Sequence, residues 1–92
     1  MTQEHLYALL AAAGAKKNGD GWMKAPDGRH LTLHVASNGA SLSVAKIEAI
    51  RVDNSLVHAR TIKGDLFILA MNDLFAGAVE GAAASGRKAG FV

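Results

Sequence analysis

The side chains that could do chemistry in this chain are its carboxylates, histidines and arginines, and their spacing indicates binding more than catalysis. Most of the carboxylates are Asp residues beside Gly or Asn, where Asp is common because it hydrogen-bonds nearby backbone amides in turns. Glu48 is the one acid expected inside a central strand. No serine stands in a Gly-x-Ser-x-Gly elbow of the kind that activates a nucleophile. We therefore predict that the protein is not an enzyme.

Histidines and cysteines are the other residues to weigh, as ligands for a metal. The chain has no cysteine, which excludes disulfides, thiolate catalysis and Cys-based zinc sites. His30 and His34 would share one face of a helix, but the residues between them alternate as in a strand. Four strand residues separate two side chains by about 13 Å, so one ion cannot bind both. We expect no metal site and no cofactor.

The most specific candidate site is a set of polar side chains that strand alternation places on one face of the predicted sheet. In the segment 31–35 and again in 57–61, apolar residues alternate with polar ones, so the polar set faces outward. The candidate binding residues on this outer face are Thr32, His34, Arg51, His58 and Arg60. Arginine and histidine beside hydroxyl groups suit contact with phosphate or carboxylate. The alternative is an ordinary solvated sheet face with no ligand.

These side chains need a sheet to position them, and the predicted fold class is α+β. We expect an N-terminal helix within residues 1–15, capped by Thr2 and ended by Gly14, because its leucines recur at helical spacing. A loop follows at 16–29, in which Trp22 is expected to close one end of the core. The helix would pack on a small antiparallel sheet or barrel of about five strands.

The strands are predicted as a β meander over residues 30–80. Asn38-Gly39 indicates a tight hairpin because both residues accept positive φ. The alternation breaks at Lys46, as it would at a β-bulge or at a single tight turn. The nearly continuous apolar run 66–70 is typical of a strand that is covered on both faces. Residues 74–79 fit either a helix or a strand, and we favour the strand.

Length and composition limit the organisation of the protein. A chain of 92 residues has room for one domain, here 1–92 with a flexible tail at 81–92, and its stability margin is small. Burial of one face in a homo-oligomer would add to that margin. No apolar run reaches the length of a membrane span. The segment 2–5 carries an acid and no Lys or Arg, unlike a signal peptide, so we expect a cytoplasmic location and no membrane partner.

Two family resemblances bear on function. The N-terminal helix and the segment 31–39, which ends in Asn-Gly, resemble the opening of Sm-like, Hfq-type RNA-binding barrels. That resemblance implies a barrel closed by a short last strand, a ring of subunits, and RNA as partner. The segment 46–61 also looks like the core of LytTR DNA-binding domains, which implies contact with DNA.

The composition does not by itself indicate a nucleic-acid partner, because the formal net charge is only +2 and polyanion binding needs a concentrated basic patch. The sequence therefore predicts a small non-enzymatic binding or assembly module. Its expected partner is itself, as a homo-oligomer, with RNA or another protein as further possibilities. The alternative prediction is a nucleic-acid-binding small barrel that uses the Arg and His residues of the outer face.

Overall fold

The structure, a computed structural model, describes residues 1–81. One helix, α1, spans Gln3–Ala13, and the strands are β1 (Lys16–Lys17), β2 (Met23–Lys24), β3 (His30–Ser37), β4 (Ala40–Asp53), β5 (Leu56–Thr61), β6 (Leu66–Ala70) and β7 (Leu74–Glu80). A 3-10 turn, Met71–Asp73, joins β6 to β7. The flexible tail expected at 81–92 lies, apart from Gly81, outside the described residues. The predicted α+β class is confirmed.

Helix α1 begins and ends where its capping residues predict. The Thr2 hydroxyl accepts a hydrogen bond of 3.0 Å from the His5 backbone N–H, and Gly14 ends the helix at φ 76°, a conformation that glycine adopts without steric cost. Its apolar stripe, Leu6, Leu10 and Ala13, is fully buried. The helix therefore packs on the sheet along the face that its sequence pattern selects.

The sheet is antiparallel and curled, with the five longer strands in the order β7-β3-β4-β5-β6. Strand β4 is the longest and pairs with β3 through its first part and with β5 through its second. The short β1–β2 ribbon, in the segment 16–29 expected as loop, adds to β4 beside β3. Within the described residues, β6 pairs only with β5 and β7 only with β3, so both outer edges are open.

Two local features let the strands curl around the core. Asn38 and Gly39 have φ of 52° and 82°, the conformation of the tight hairpin that their sequence predicts. Lys46 has φ 60°, and the β3–β4 and β4–β5 registers both shift at this part of β4, which confirms the predicted bulge. Residues 74–80 are a strand, as favoured over the helix.

The core lies on the inner face of the sheet, beneath α1. It consists of aliphatic side chains from every long strand together with those of the helix; the largest fully buried ones are Leu6, Leu10, Leu31, Leu33, Val44, Ile47, Ile50, Val57 and Leu74. No aromatic side chain in residues 1–81 is among the buried ones. Among the described residues, no second layer of structure covers the outer face, so its side chains carry the surface chemistry.

Candidate binding face of the sheet

Three of the five predicted site residues meet on the outer face of β4 and β5. Arg51 is the register partner of His58, and Arg60 is the partner of Ala49 on the same face. Strand β2 brings Trp22 to this place, because Met23 pairs with Ile50 and Lys24 with Ala49. We call Trp22, Arg51, His58 and Arg60 the cationic patch.

Both guanidinium groups of the cationic patch lie against the indole ring. The Arg60 Cζ is 4.8 Å from the ring centroid of Trp22, and the Arg51 Cζ is 5.9 Å from it. Cation–π contacts at such distances contribute about 0.5–1 kcal/mol each at exposed sites. The expectation that Trp22 closes the core is therefore wrong, because the register of β2 on β4 holds its ring on the opposite face of the sheet.

The turn before β2 fixes the backbone of Trp22. The Asp20 Oδ1 accepts a 3.1 Å hydrogen bond from the Trp22 backbone N–H, and Gly21 has φ 90°, which a residue with a Cβ rarely adopts. Asp20 is thus a turn residue, as its sequence context indicates. The signal for the missed site residue was present in Trp22-Met23-Lys24, whose alternation in an edge strand places Trp22 and Met23 on opposite faces.

Each arginine of the patch also has a carboxylate partner. The Arg60 Nε lies 3.2 Å from Glu48 Oε2, and the Arg51 Nη2 lies 3.8 Å from Asp53 Oδ2. Both pairs are partly exposed, so each contributes little to stability. Of the five N–H donors on each guanidinium group of the patch, only the Arg60 Nε–H has a hydrogen-bond partner within residues 1–81, so the others are available to an acceptor on a ligand. Glu48, singled out as the one strand acid, is explained by this pairing.

His58 supplies an unsatisfied polar atom at the centre of the patch. Its Nε2 is buried and has no hydrogen-bond partner within the described residues. The His58 ring lies between Arg51 and Ile68, its register partners on β4 and β6.

Exposed apolar side chains continue the patch onto β6. Ile68 is the register partner of His58, and Leu66 is the partner of Arg60, with exposed fractions of 57% and 53%. The prediction that this strand is covered on both faces is wrong, because α1 covers the inner face only. The outer face of β4–β6 thus combines an indole, two guanidinium groups and two aliphatic side chains.

The other two predicted site residues lie apart from the cationic patch. His34 is on β3, where its Nδ1 lies 2.8 Å from Ser43 Oγ and its ring centroid 6.0 Å from that of Phe75. Thr32 is buried, and its hydroxyl donates a 2.7 Å hydrogen bond to Glu80 Oε1. Thr32 faces outward, but Glu80 of β7 folds over it, so Thr32 is not available to a ligand.

Comparison with protein families, curated proteins and solved structures finds no match to this chain. In residues 1–81, no helix is long and apolar enough to cross a membrane. The same residues hold no cluster of three or more His, Asp or Glu that could bind a metal ion. The surface chemistry of the sheet is therefore what indicates a function.

Proposed function

We propose that this protein is a non-enzymatic assembly and binding module that forms homo-oligomers by pairing its open sheet edges. The observation that carries the proposal is the unprotected edge of β6. This strand reads Leu-Phe-Ile-Leu-Ala, whereas edge strands that remain in solvent usually carry Lys, Pro or a bulge that prevents pairing. The expected cytoplasmic location stays a prediction.

The hydrogen bonds at the two ends of β6 identify the backbone groups at its open edge. The Thr61 N–H donates to the Asp65 carbonyl at 2.9 Å, and the Met71 N–H donates to the Ser55 carbonyl at 2.8 Å. Because bonded pairs alternate along an antiparallel ladder, Phe67 and Leu69 bond to β5 between these two points. The N–H and C=O groups of Leu66, Ile68 and Ala70 then point away from the sheet.

A second copy of the chain is the partner that fits this edge. At the other end of the sheet, β7 also has an edge with no strand beside it in residues 1–81. Its Leu74 carbonyl accepts a 2.6 Å hydrogen bond from the Met1 ammonium group, and Phe75 on it is 59% exposed. Pairing β6 of one copy with β7 of the next would continue the sheet and cover apolar side chains on both strands. Such a head-to-tail contact generates a closed ring or a filament, while β6 against β6 gives a two-fold dimer.

Substitution of Ile68 by proline tests the assembly directly. Proline at this position removes an N–H that points into solvent and leaves the β5–β6 ladder intact. We expect light scattering of the unaltered protein to give a mass above the 9.6 kDa of one chain, and Ile68→Pro to give the monomer. Ile68→Thr is the matched control, since it removes apolar surface but keeps the N–H, and it should weaken assembly less.

A strict monomer at high concentration would contradict the assembly proposal, as would Ile68→Pro with an unchanged mass and a native circular dichroism spectrum.

A second candidate function, binding of single-stranded nucleic acid, is favoured by the cationic patch. Guanidinium groups suit phosphate oxygens, and the exposed Ile68 and Leu66 beside them offer apolar surface to bases. Proteins that bind single strands combine cationic groups with aromatic side chains on which bases stack, and Trp22 is the aromatic residue of this patch. Glu48 and Asp53 reduce the local positive charge, so the affinity would be modest and sensitive to salt.

The measurement for this second candidate is the fluorescence anisotropy of a labelled oligouridine at several salt concentrations. We expect binding that weakens steeply as salt rises and a loss of about 1 kcal/mol or more of binding free energy in Arg60→Gln. Lys63→Gln, which removes the same charge in the β5–β6 turn, should bind nearly as the unaltered protein does. Equal losses in the two variants, or binding indifferent to salt, would contradict a role for the patch.

A further inference from the structure

A cleft separate from the β6 edge opens between α1, the β1–β2 ribbon and the end of β4. Its volume is about 510 Å³, within the range of pockets that hold small molecules. Ile50, the partner of Met23, is the last β4 residue that pairs with β2. Arg51, Val52 and Asp53 extend beyond β2 and form one wall of the cleft, and the helix forms the other.

The floor of the cleft is apolar. Leu10 and Ile50 lie beneath it and are fully buried, whereas Tyr7 on the helix is 44% exposed. Met23 and Val52 are half-buried at its sides. An aromatic ring or a short aliphatic chain placed here would cover apolar surface on all of these side chains, each of which is already held by the core or the helix.

One cation at the rim of the cleft has no carboxylate partner in residues 1–81. Asp53 is paired with Arg51, and the Asp20 carboxylate, which keeps its charge, accepts a hydrogen bond from the Trp22 N–H. The Lys17 side chain lines the cleft and has no ion pair or hydrogen bond within the described residues. The rim therefore offers a free ammonium group beside an apolar floor.

We propose that this cleft binds a small organic anion, a carboxylate attached to an aromatic or aliphatic body. The carboxylate would contact the Lys17 ammonium, with the free donors of Arg51 in reach of the same rim. The apolar body would lie on Met23 and Val52 and against the ring of Tyr7. Arg51 belongs both to this rim and to the cationic patch, so an occupied cleft would also border the ring of Trp22.

The test uses the full chain and phenylpropionate as the probe, with its neutral primary amide as the comparison. We expect phenylpropionate to shift the backbone amide resonances of Tyr7, Met23 and Val52, with weak affinity, and the amide to bind several-fold more weakly. Lys17→Gln should weaken phenylpropionate binding about threefold, as expected for one exposed charge pair. Lys16→Gln, an equal change of charge at the adjacent residue outside the cleft, should leave the affinity unchanged.

Shifts scattered over the surface, or equal affinities for the acid and the amide, would overturn the proposal, as would equal effects of Lys17→Gln and Lys16→Gln. Val52→Phe, which fills the cleft, should abolish binding of both compounds. The Ile68→Pro variant should still bind phenylpropionate, because the cleft does not include β6. Failure of the assembly proposal is thus distinguishable from failure of this one.

Discussion

At the scale of single residues, Lys46 shows most directly how a local conformation shapes the sheet. It has φ 60° in the middle of β4, and its carbonyl accepts a 2.9 Å hydrogen bond from the Ile62 N–H. A residue with a Cβ in this left-handed region loses about 1–2 kcal/mol relative to its favoured conformations. The bulge lets β4 pair with β3 in its first part and with β5 in its second. It is therefore maintained although the backbone conformation of Lys46 is locally unfavourable.

Replacement of Lys46 by glycine should raise the stability of the protein. Glycine adopts positive φ without the steric penalty, although its more flexible unfolded chain offsets part of the gain. We expect the free energy of unfolding of Lys46→Gly to rise by about 0.5–1 kcal/mol, measured by urea denaturation. Lys46→Ala removes the same side chain but keeps the Cβ, so it should show no such gain. If alanine stabilises as much as glycine, the backbone explanation is wrong.

Among the elements, α1 and β7 depend on each other through one glycine. A Cβ built on Gly77 would lie 2.5 Å from Leu9 Cδ2 and 3.3 Å from Leu33 Cδ2. Gly77 is thus the place on β7 over which Leu9 of the helix passes. Its role is close packing between elements, since Gly77 is not among the residues of positive φ.

Substitution of Gly77 by alanine should loosen the contact between helix and sheet. The added methyl group displaces Leu9 and overpacks the inner face, which costs about 1–3 kcal/mol of unfolding free energy. Combination with Leu9→Ala relieves the clash, so Gly77→Ala should cost clearly less in that background. A double-mutant cycle by thermal or urea denaturation measures the coupling. Additive effects of the two substitutions would show that Leu9 is not what Gly77 accommodates.

Sequence alone predicted those elements whose signals are local. The alternation through Leu31, Leu33 and Val35, the Asn38-Gly39 hairpin and the break at Lys46 each depend on neighbouring residues, and the strands follow them. The contact of Arg51 with His58 could also be predicted, because the short turn at Asn54 fixes the register of β4 on β5.

The rest depends on pairing between distant parts of the chain. Trp22 reaches the arginines only through the register of β2 on β4, and Thr32 is covered by a residue 48 positions away. A continuous apolar run such as β6 is typical of a strand buried on both faces. It does not reveal that α1 and the core cover one face only, which is why Leu66 and Ile68 were expected inside.

At the scale of the whole molecule, the core is small and many large apolar side chains remain exposed on the surface. The buried side chains are aliphatic, while Tyr7, Phe75 and several large aliphatic residues remain exposed. A domain of this length buries about 60–65% of its surface on folding, a smaller fraction than a larger domain buries, so apolar area left on the outer face is stabilising only where a partner covers it.

The stability of the protein should therefore depend on its concentration. Anything that binds the folded chain and not the unfolded one raises the apparent stability by mass action, and the partner that we propose is a second copy. We expect the Tm to rise as protein concentration is raised, and to be independent of concentration in Ile68→Pro. Scanning calorimetry at several concentrations measures this. A concentration-independent Tm in the unaltered protein would contradict assembly coupled to folding.

The pairing of β7 with β3 and its contact with α1 also set the order of events during synthesis. Roughly 60 residues separate the end of the helix from the start of β7, which at about 5–20 residues per second corresponds to some 3–12 s of translation. Through that interval Leu9 lacks Gly77, the β7 residue over which it packs. This part of the helix surface therefore stays exposed, and prone to aggregation, until β7 has been synthesised.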